Sequence, residues 1–243
     1  NYMPELPEVE VVKRSLTNKV RNLIIKNVKI NDHRLRYYLD KNKIRKIIGL
    51  KFKKIERRSK FLLFFFNKDI VMLTHLGMTG KFFFINQKNT KFKTSFYYNI
   101  SDPKDQKHDH VVFFLNKNQK LIYNDVRKFG FIKFLKNKDY NDSLHLKNLG
   151  PEPLGKEFNW LYFKQYAKGR NRAIKNILMD QKFVSGIGNI YANEILFLSK
   201  VKPTRKAQTV KVFELKKIVK LTKSVLKNAI TLGGSSIKDF SSS

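Results

Sequence analysis

The hydrophobic periodicity of the chain changes just past its midpoint, and this change constrains the fold more than any other feature. In the N-terminal part, β-branched and aromatic residues fall in short runs between turn residues, a pattern that indicates about eight strands. In the C-terminal part, apolar residues recur at helical spacing. The strand-like runs cover residues 23–30, 44–55, 60–66, 70–73, 81–85, 111–115, 120–123 and 129–134, and the helix-like runs cover residues 156–168, 173–180, 189–198 and 212–230.

Together these runs predict an α+β protein with two domains. Residues 4–135 would form an antiparallel β-sandwich behind an N-terminal helix, which the apolar spacing between Glu8 and Val20 predicts. Residues 136–155 contain a Gly-Pro-Glu-Pro segment and break both periodicities, so we predict a linker there. Residues 156–243 would form an all-helical domain, whose last helix would end at Gly233-Gly234.

The charge balance indicates a polyanionic partner. The chain contains 51 Lys and Arg against 19 Asp and Glu, which gives a formal net charge of +32. Such an excess predicts a salt-sensitive association, with nucleic acid as the first candidate. A mutational bias toward Lys, Asn, Ile and Phe is a rival explanation, but it should raise Asp and Glu as well.

Composition and patterning disfavour other classes of site. No apolar run approaches about 18 residues and no signal-peptide pattern opens the chain, so we expect a cytoplasmic protein without a membrane segment. The absence of cysteine excludes disulfides, thiolate catalysis and cysteine-based zinc sites. The five histidines are scattered except for His108 and His110, which we expect to share one face of a strand as a partly exposed polar pair rather than a metal site.

The N-terminal segment Met3-Pro4-Glu5 contains a candidate nucleophile. In a chain that begins chemically at Pro4, the terminal nitrogen is a secondary amine, which can attack an aldehydic carbon and form an iminium. Glu5 could move the protons that this chemistry needs. The alternative is that the prolines only stiffen a leader before the first helix.

Two further motifs are suited to phosphate binding. Lys60 follows Arg57-Arg58-Ser59 at the predicted start of a strand, where its ammonium could face a ligand, although a lone Lys is more often a solvated charge. Gly186 and Gly188 precede a predicted helix that starts near Asn189. The free backbone N–H groups and the positive dipole end of such a helix could bind a phosphate, but glycines before a helix are common.

Another pair of motifs could fill a gap in a base stack. Met78 lies between two glycines in the segment from His75 to Gly80, and Arg127 and Phe129 lie in the segment from Asn124 to Gly130. Both segments could be ordinary turns with buried apolar side chains. An enzyme that extrudes a base, however, needs apolar wedges and a side chain that can bond the orphaned partner base.

In order and spacing, these motifs resemble the formamidopyrimidine-DNA glycosylase family. The resemblance runs from Met3 to Phe240 and includes the segment from Gly188 to Glu194. It implies a bifunctional DNA glycosylase and AP lyase that removes oxidised purines, namely 8-oxoguanine and formamidopyrimidines. It also implies a monomer that acts on double-stranded DNA at the bacterial nucleoid, with no cofactor in this chain.

The resemblance implies a role for each motif residue. Pro4 would attack C1′ of the extruded nucleoside and form a Schiff base, Glu5 would move protons at the sugar, and Lys60 would hold the flanking phosphate. Strand cleavage would follow by β- and then δ-elimination. Met78, Arg127 and Phe129 would fill the vacated stack.

The resemblance also implies DNA contacts outside these motifs. Residues 173–194 would form the helix–two-turn–helix element of the family, with Asn189 at the start of the second helix, and residues 233–240 would form a loop that closes over the extruded base. His108, Arg170 and Lys175 match family positions that contact DNA, with one extra residue in the local spacing at Arg170.

Three departures from the family pattern bear on these expectations. Lys128 stands where many members carry a second Arg, which would leave a point charge without a bidentate fork. Asn1-Tyr2-Met3 precede Pro4, and while they remain attached the proline nitrogen is an amide. Family members usually continue into a zinc finger with four cysteines, so either this chain is a fragment, which we favour, or it has lost the finger. One zinc ion is expected if a finger follows Ser243.

Two alternative functions remain open at the level of sequence. An endonuclease VIII-like enzyme would share the nucleophile and the second domain but prefer oxidised pyrimidines; Leu6-Pro7-Glu8 and the segment from His75 to Gly80 favour the purine branch. A catalytically inactive DNA-binding module would be consistent with the residues before Pro4 and the missing finger.

Overall fold

The computed structural model describes residues 4–94 and 103–241, and in this part of the chain the predicted α+β architecture is confirmed. The strands are β1 (Ile25–Ile30), β2 (Phe52–Arg58), β3 (Phe61–Phe66), β4 (Val71–His75), β5 (Gly80–Ile85), β6 (Lys91–Lys93), β7 (Asp109–Leu115), β8 (Gln119–Asp125) and β9 (Phe131–Leu135). The α-helices are α1 (Leu6–Val20), α2 (Lys41–Arg45), α3 (Trp160–Ala167), α4 (Ile174–Leu178), α5 (Asn189–Ser199) and α6 (Val212–Ser241). Short 3₁₀ helices cover Pro103–His108, Asn137–Asp142 and Ala207–Thr209.

The strands form two antiparallel sheets. One sheet has the order β1-β7-β8-β5-β6 and the other the order β2-β3-β4-β9. The inner faces of the two sheets enclose an aromatic core that includes Phe52, Phe64, Phe82, Phe113 and Tyr123. This arrangement is the predicted sandwich, with the short edge strand β6 in addition to the predicted strands.

Strand β3 explains why this part of the chain is so rich in phenylalanine. All six of its residues are buried. Phe64 and its neighbours on one face pack into the core between the sheets, whereas Phe61, Leu63 and Phe65 form a second cluster with Leu146. The segment after β9 therefore covers the outer face of this sheet, so that the strand has no solvent-facing side.

The helical domain has its own core, and α1 lies between the two domains. Phe158, Phe183 and Leu226 are among its fully buried residues. Leu6 and Val11 of α1 pack against Ile230 of α6, and α1 also contacts β2. None of the helices in the described ranges combines the length and apolarity needed to cross a bilayer.

The predicted strand at residues 44–55 is wrong in its first half. Residues 44 and 45 instead end helix α2, and residues 46–49 form a turn. The side chain of Asp40 caps this helix by accepting hydrogen bonds from the backbone N–H groups of Asn42 and Lys43, each at 3.0 Å. Gly49, at φ +89°, then turns the chain, and the strand begins at Phe52.

The predicted end of the last helix at Gly233-Gly234 is also wrong. Helix α6 continues through both glycines to Ser241. A glycine costs a helix interior only about 1 kcal/mol relative to alanine, and neither a proline nor another helix-breaking residue follows within the helix. Residues 233–240, predicted to form a loop over the extruded base, therefore lie within α6.

Candidate active site

The second sheet brings three predicted functional segments to one end of its strands. In the registers of β3, β4 and β9, His75 pairs with Phe61 on one side and with Phe131 on the other. Lys60 immediately precedes Phe61, Met78 follows His75 in the next loop, and Phe129 lies just before Phe131. The lysine and both candidate wedge loops therefore lie at the same end of the strands.

His75 contacts the loop and the strand on either side of it at this end of the sheet. The backbone N–H of Gly77 donates to His75 Nδ1 at 3.0 Å, and the ring stacks on Phe131 with a centroid distance of 5.5 Å. Burial, together with the nearby charge of Lys60, lowers the pKa of His75 to about 4. The imidazole is therefore neutral at pH 7 and acts as a hydrogen-bond acceptor for the loop that carries Met78.

The N-terminal segment packs against the turn that precedes α5. Pro4 and Glu5 are both buried, and the N–H of Leu6 donates to the carbonyl of Gly186 at 3.0 Å. Gly186 has φ +100°, and a Cβ there would lie 2.7 Å from a methyl carbon of Leu6. The turn therefore requires glycine so that the N-terminal segment can approach it closely.

The carboxylate of Glu5 occupies the start of α5. It accepts hydrogen bonds from the N–H of Gly188 and, at 3.1 Å, from the N–H of Ile190. A Cβ on Gly188 would lie 2.7 Å from the carboxyl carbon of Glu5, so glycine is needed here as well. The positive end of the helix dipole stabilises a negative charge at this position.

This contact changes the expectation for the start of α5. Two N–H groups at the helix start donate to the carboxylate of Glu5 in the same chain, so a DNA phosphate at this helix start stays a prediction for its remaining groups. Asn189 lies exposed in the first turn, and its role as a DNA contact stays a prediction for its side chain.

Glu5 and Lys60 form an electrostatically coupled pair. Burial raises the pKa of Glu5, and the charge of Lys60 and the hydrogen bond from Gly188 oppose that rise. Burial likewise lowers the pKa of Lys60, against the attraction of Glu5 and Glu8. A carboxyl group and an amine whose pKa values are shifted toward each other in this way exchange a proton more readily than the same groups in water.

Glu8 and Tyr191 support Glu5 from below. Glu8 is fully buried; its Oε2 accepts the N–H of Glu5 at 2.8 Å, and its Oε1 accepts the hydroxyl of Tyr191 at 2.6 Å. Neither residue was a predicted site residue. The spacing of Glu5 and Glu8, three residues apart at a helix start, is the capping-box signal that could have indicated Glu8.

Glu152 of the predicted linker ties Lys60 to the helical domain. Its carboxylate pairs with Arg57 Nη2 at 2.5 Å and Arg58 Nη1 at 2.8 Å, and accepts the N–H of Ser59 at 2.9 Å. Arg58 also donates to Ser185 Oγ at 2.8 Å, in the turn before α5. The β2–β3 turn that carries Lys60 is thus held against the same turn that positions Glu5.

The three candidate wedge residues lie together. Arg127 Nη1 donates to the sulfur of Met78 at 3.2 Å, and its guanidinium carbon lies 4.7 Å from the centroid of the Phe129 ring. Phe129 is 43% exposed, so part of its ring is accessible to a ligand. Gly77, at φ +61°, allows the loops to touch, because a Cβ there would lie 2.5 Å from the backbone of Phe129.

Lys128 has a partner within the protein. Its Nζ lies 2.5 Å from Oδ2 of Asp32, whose pKa is lowered by hydrogen bonds from Arg34 and Lys128. The ammonium that stands in place of a family Arg is therefore held against the loop after β1, beside the wedge loops.

The remaining predicted DNA contacts lie on elements other than those that hold Glu5. The guanidinium of Arg170 folds back onto Tyr166, 4.0 Å from its ring centroid, and Lys175 is partly buried in α4. His108 ends a 3₁₀ helix and His110 is buried on β7, so the expected sharing of one strand face is wrong. The two rings nevertheless lie edge to face, with centroids 6.2 Å apart. Within the described ranges, no hydrogen bond or ion pair connects Arg170, Lys175 or His108 to Glu5.

The residues of this chain do not supply a zinc-finger site. The sequence contains no cysteine, and the described residues contain no group of three or more His, Asp or Glu that could hold a metal ion. A zinc ion therefore stays an expectation for residues outside this chain.

Comparisons with known proteins agree with this arrangement. The family model of the formamidopyrimidine-DNA glycosylase N-terminal domain matches residues 3–132, and the model of the H2TH domain of the same glycosylases matches residues 149–241. The formamidopyrimidine-DNA glycosylase of Rickettsia massiliae is 38% identical over 98% of this chain and 80% of its own length. The enzyme of Roseobacter denitrificans is 36% identical over 98% of this chain and 82% of its own length.

Solved structures of the Lactococcus lactis enzyme are similar in fold. Its complex with DNA that contains an AP site superposes with a TM-score of 0.82 at 28% identity, over 98% of this chain and 86% of that one. Its complex with DNA that contains N7-benzyl-Fapy-dG superposes with a TM-score of 0.81 at 29% identity, over 95% of this chain and 80% of that one. The chain therefore belongs to the formamidopyrimidine-DNA glycosylase family and is a DNA glycosylase of base-excision repair.

Proposed function

We propose that the protein excises oxidised purines from double-stranded DNA and then cleaves the strand, with the nitrogen of Pro4 as nucleophile. The observation that carries this proposal is the burial of Pro4 and Glu5 together at the start of α5, beside Lys60. A secondary amine next to a carboxyl group with a raised pKa is the arrangement that iminium chemistry needs.

In the first step, the lone pair of Pro4 forms a bond to C1′ of the extruded nucleotide. The glycosidic bond breaks, and the base leaves with the electron pair and takes a proton supplied by solvent water. Glu5 accepts the proton released by the Pro4 nitrogen and donates it to O4′ as the C1′–O4′ bond opens. The product is an iminium between Pro4 and C1′, with atoms and charge balanced.

The iminium acidifies the neighbouring sugar protons and so permits strand cleavage. Loss of the C2′ proton expels the 3′ phosphate by β-elimination, and loss of the C4′ proton expels the 5′ phosphate by δ-elimination. Hydrolysis then frees Pro4. Lys60, whose pKa burial lowers, would hold the flanking phosphate during these steps.

This chemistry requires a chain that begins at Pro4. An amide nitrogen acylated by Met3 lacks the lone pair that the attack needs. A chain translated from Met3 would need only the removal of that one residue. The burial of Pro4 would then help to keep part of the amine unprotonated near neutral pH, because burial disfavours a charged ammonium.

Base extrusion is proposed for Met78, Arg127 and Phe129. The side chains of Met78 and Phe129 both contact Arg127, at the same end of the strands as Lys60. An exposed phenylalanine and a methionine can fill the space of a departed base, and the guanidinium can bond the orphaned partner. His108, Arg170, Lys175 and Asn189 would contact the phosphate backbone.

The preference for purines is the finer part of the proposal. The Lactococcus lactis relative has been solved with DNA that contains Fapy-dG, and also with DNA that contains an oxidised pyrimidine. The second complex gives a specific reason to test pyrimidine lesions as an additional substrate class. We further propose that the protein acts as a monomer at the nucleoid in the bacterial cytoplasm.

A nicking assay on three matched duplexes tests this function. One duplex carries a single 8-oxoguanine, one a single oxidised pyrimidine, and one no lesion. We expect rapid cleavage of the first with phosphate left on both ends, slower cleavage of the second, and none of the third. Binding without cleavage by a chain that begins at Pro4 would instead support the inactive DNA-binding module.

A further inference from the structure

Asp125, at the end of β8, is a buried carboxylate with four hydrogen-bond donors around it. It is fully buried. Its Oδ1 accepts the hydroxyl of Thr79 at 2.6 Å and the N–H of Lys128 at 3.1 Å. Its Oδ2 accepts the hydroxyl of Tyr123 at 2.9 Å and the N–H of Gly130 at 2.9 Å. An ionised carboxylate can satisfy all four donors because it only accepts.

Three of these donors belong to the two wedge loops. Thr79 directly follows Met78, whereas Lys128 and Gly130 lie on either side of Phe129. The carboxylate of Asp125 therefore connects the loop after β4 to the loop after β8.

Thr79 strengthens the same connection. Its hydroxyl donates a hydrogen bond to Asp125 and also accepts one from the backbone N–H of Arg127 at 2.9 Å. One hydroxyl next to Met78 thus fixes the backbone of the residue that carries the guanidinium. Valine has nearly the same shape as threonine but can form neither bond.

We propose that Asp125 and Thr79 are positioning residues that make Met78, Arg127 and Phe129 enter the base stack as one preassembled unit. The inference rests on the proposed function, since it assigns a rigid support to the wedge. Asp125 touches neither substrate nor reacting atoms in this scheme. Its effect passes through the two loops, whose side chains already meet at Arg127.

A preassembled wedge should show energetic coupling between its members. Residues in contact or in one hydrogen-bond network depart from additivity, whereas independent residues do not. The proposal therefore concerns the relation between Met78 and Phe129, and not only the rate that each contributes.

A double-mutant cycle in two backgrounds tests this relation. Met78→Ala and Phe129→Ala are made singly and together, with Thr79 intact and with Thr79→Val, and the single-turnover excision rate of 8-oxoguanine is measured. With Thr79 intact, the combined loss should differ from the product of the single losses by at least about threefold. With Thr79→Val, the losses should multiply. Equal coupling in both backgrounds would overturn the proposal.

Three controls separate positioning from folding and from the proposed function. Thr79→Ser retains the hydroxyl and should restore the coupling. Thr222→Val removes the buried hydroxyl that bonds the carbonyl of Ile218 on α6, and it should leave the excision rate unchanged. Cleavage at a preformed AP site requires no base extrusion, so Thr79→Val should retain it; its loss there would overturn the positioning role.

Asp125→Asn provides a second test of the positioning role for the case in which the Thr79 variants are too unstable to assay. Its amide would direct N–H groups toward at least one of the four donors, which should uncouple the loops more strongly than Thr79→Val. Its AP-site cleavage should persist while base excision falls. No excision by the unchanged protein would refute the proposed function itself, whereas normal excision by both Thr79→Val and Asp125→Asn would refute only the positioning role.

Discussion

The two halves of the site are built in different ways. The half proposed to carry the chemistry, Pro4 and Glu5, is buried where α1 meets the turn before α5, and its key contact joins residues 183 positions apart. The wedge half is formed by two loops of one domain, with Phe129 43% exposed. The first half depends on how the two domains are held together, whereas the second depends on a local hydrogen-bond network.

The largest effect is expected in the buried half, for Glu5→Gln. The variant cannot shuttle a proton between Pro4 and O4′, so excision should fall by about 10²- to 10⁴-fold, which is typical for the loss of a general acid or base. Glu56→Gln, at an exposed ion pair with Lys54, is the matched control and should keep full activity. Single-turnover excision with both variants measures the difference.

The same variant predicts a pH dependence of stability. Burial raises the pKa of Glu5 above its ordinary value of 4.5, so the folded state binds this proton more tightly than the unfolded state does. The contribution of Glu5 is fully present below 4.5 and is lost as pH rises through the raised value. In thermal unfolding, the stability of Glu5→Gln relative to the unchanged protein should therefore increase from pH 4 to pH 8. The opposite trend would mean that Glu5 is not desolvated.

A smaller effect is expected in the exposed half. Phe129→Ala should reduce excision by roughly tenfold, since base–aromatic stacking contributes about 1–3 kcal/mol. Met78→Ala should also reduce it, because its side chain would fill part of the vacated stack. Binding to undamaged duplex should change less, because the vacated stack exists only after a base has left it. Equal losses in the excision and binding assays would exclude a wedge role for these side chains.

The junction between the halves gives the next prediction. Glu152→Gln removes the charge that pairs with Arg57 and Arg58, so the free energy of unfolding should fall by about 2 kcal/mol. The charge of Arg57 lowers the pKa of Glu152, and burial opposes this shift. The stabilisation by Glu152 is therefore present above pH 4.5 and is lost as the pH falls through the lowered pKa. Denaturant unfolding at pH 7 and pH 3, with Glu56→Gln as control, should show a larger difference at pH 7 than at pH 3.

The smallest effects concern single phosphate contacts. Each of Arg170→Gln and Lys175→Gln should reduce the slope of log affinity against log salt by about 1. Lys54 lies at the opposite end of β2 from the Lys60 turn, so Lys54→Gln should leave the slope unchanged. Identical slopes for all three variants would indicate that the net charge acts diffusely rather than through these residues.

The sequence predicted the parts of the fold that depend on local patterns. The buried runs around β3 and the helical stripe of α6 follow directly from hydrophobic periodicity. Helix α2 was missed because its start depends on the cap formed by Asp40, a short-range polar contact that lies before the apolar run. The end of α6 was misplaced because two glycines were given more weight than their cost to a helix justifies.

The candidate site was predictable only as a set of residue types. Pro4, Glu5, Lys60 and the wedge residues came from motifs, but no local pattern indicates that Glu5 binds the start of α5 or that Glu152 holds the Lys60 turn. Those contacts depend on the packing of one domain against the other. Asp125 lies within a motif that we singled out, yet its four donors become visible only in three dimensions.

Borohydride trapping on damaged DNA is the most direct test of Pro4 as the nucleophile. Two forms of the protein are compared, one that begins at Pro4 and one that retains the three residues before it. Reduction fixes an iminium as a stable protein–DNA adduct, so the first form should trap efficiently, whereas the second should bind the same duplex without forming an adduct. Efficient trapping by the extended form would contradict the assignment of Pro4 and direct attention to a lysine, with Lys60 as the first to be replaced.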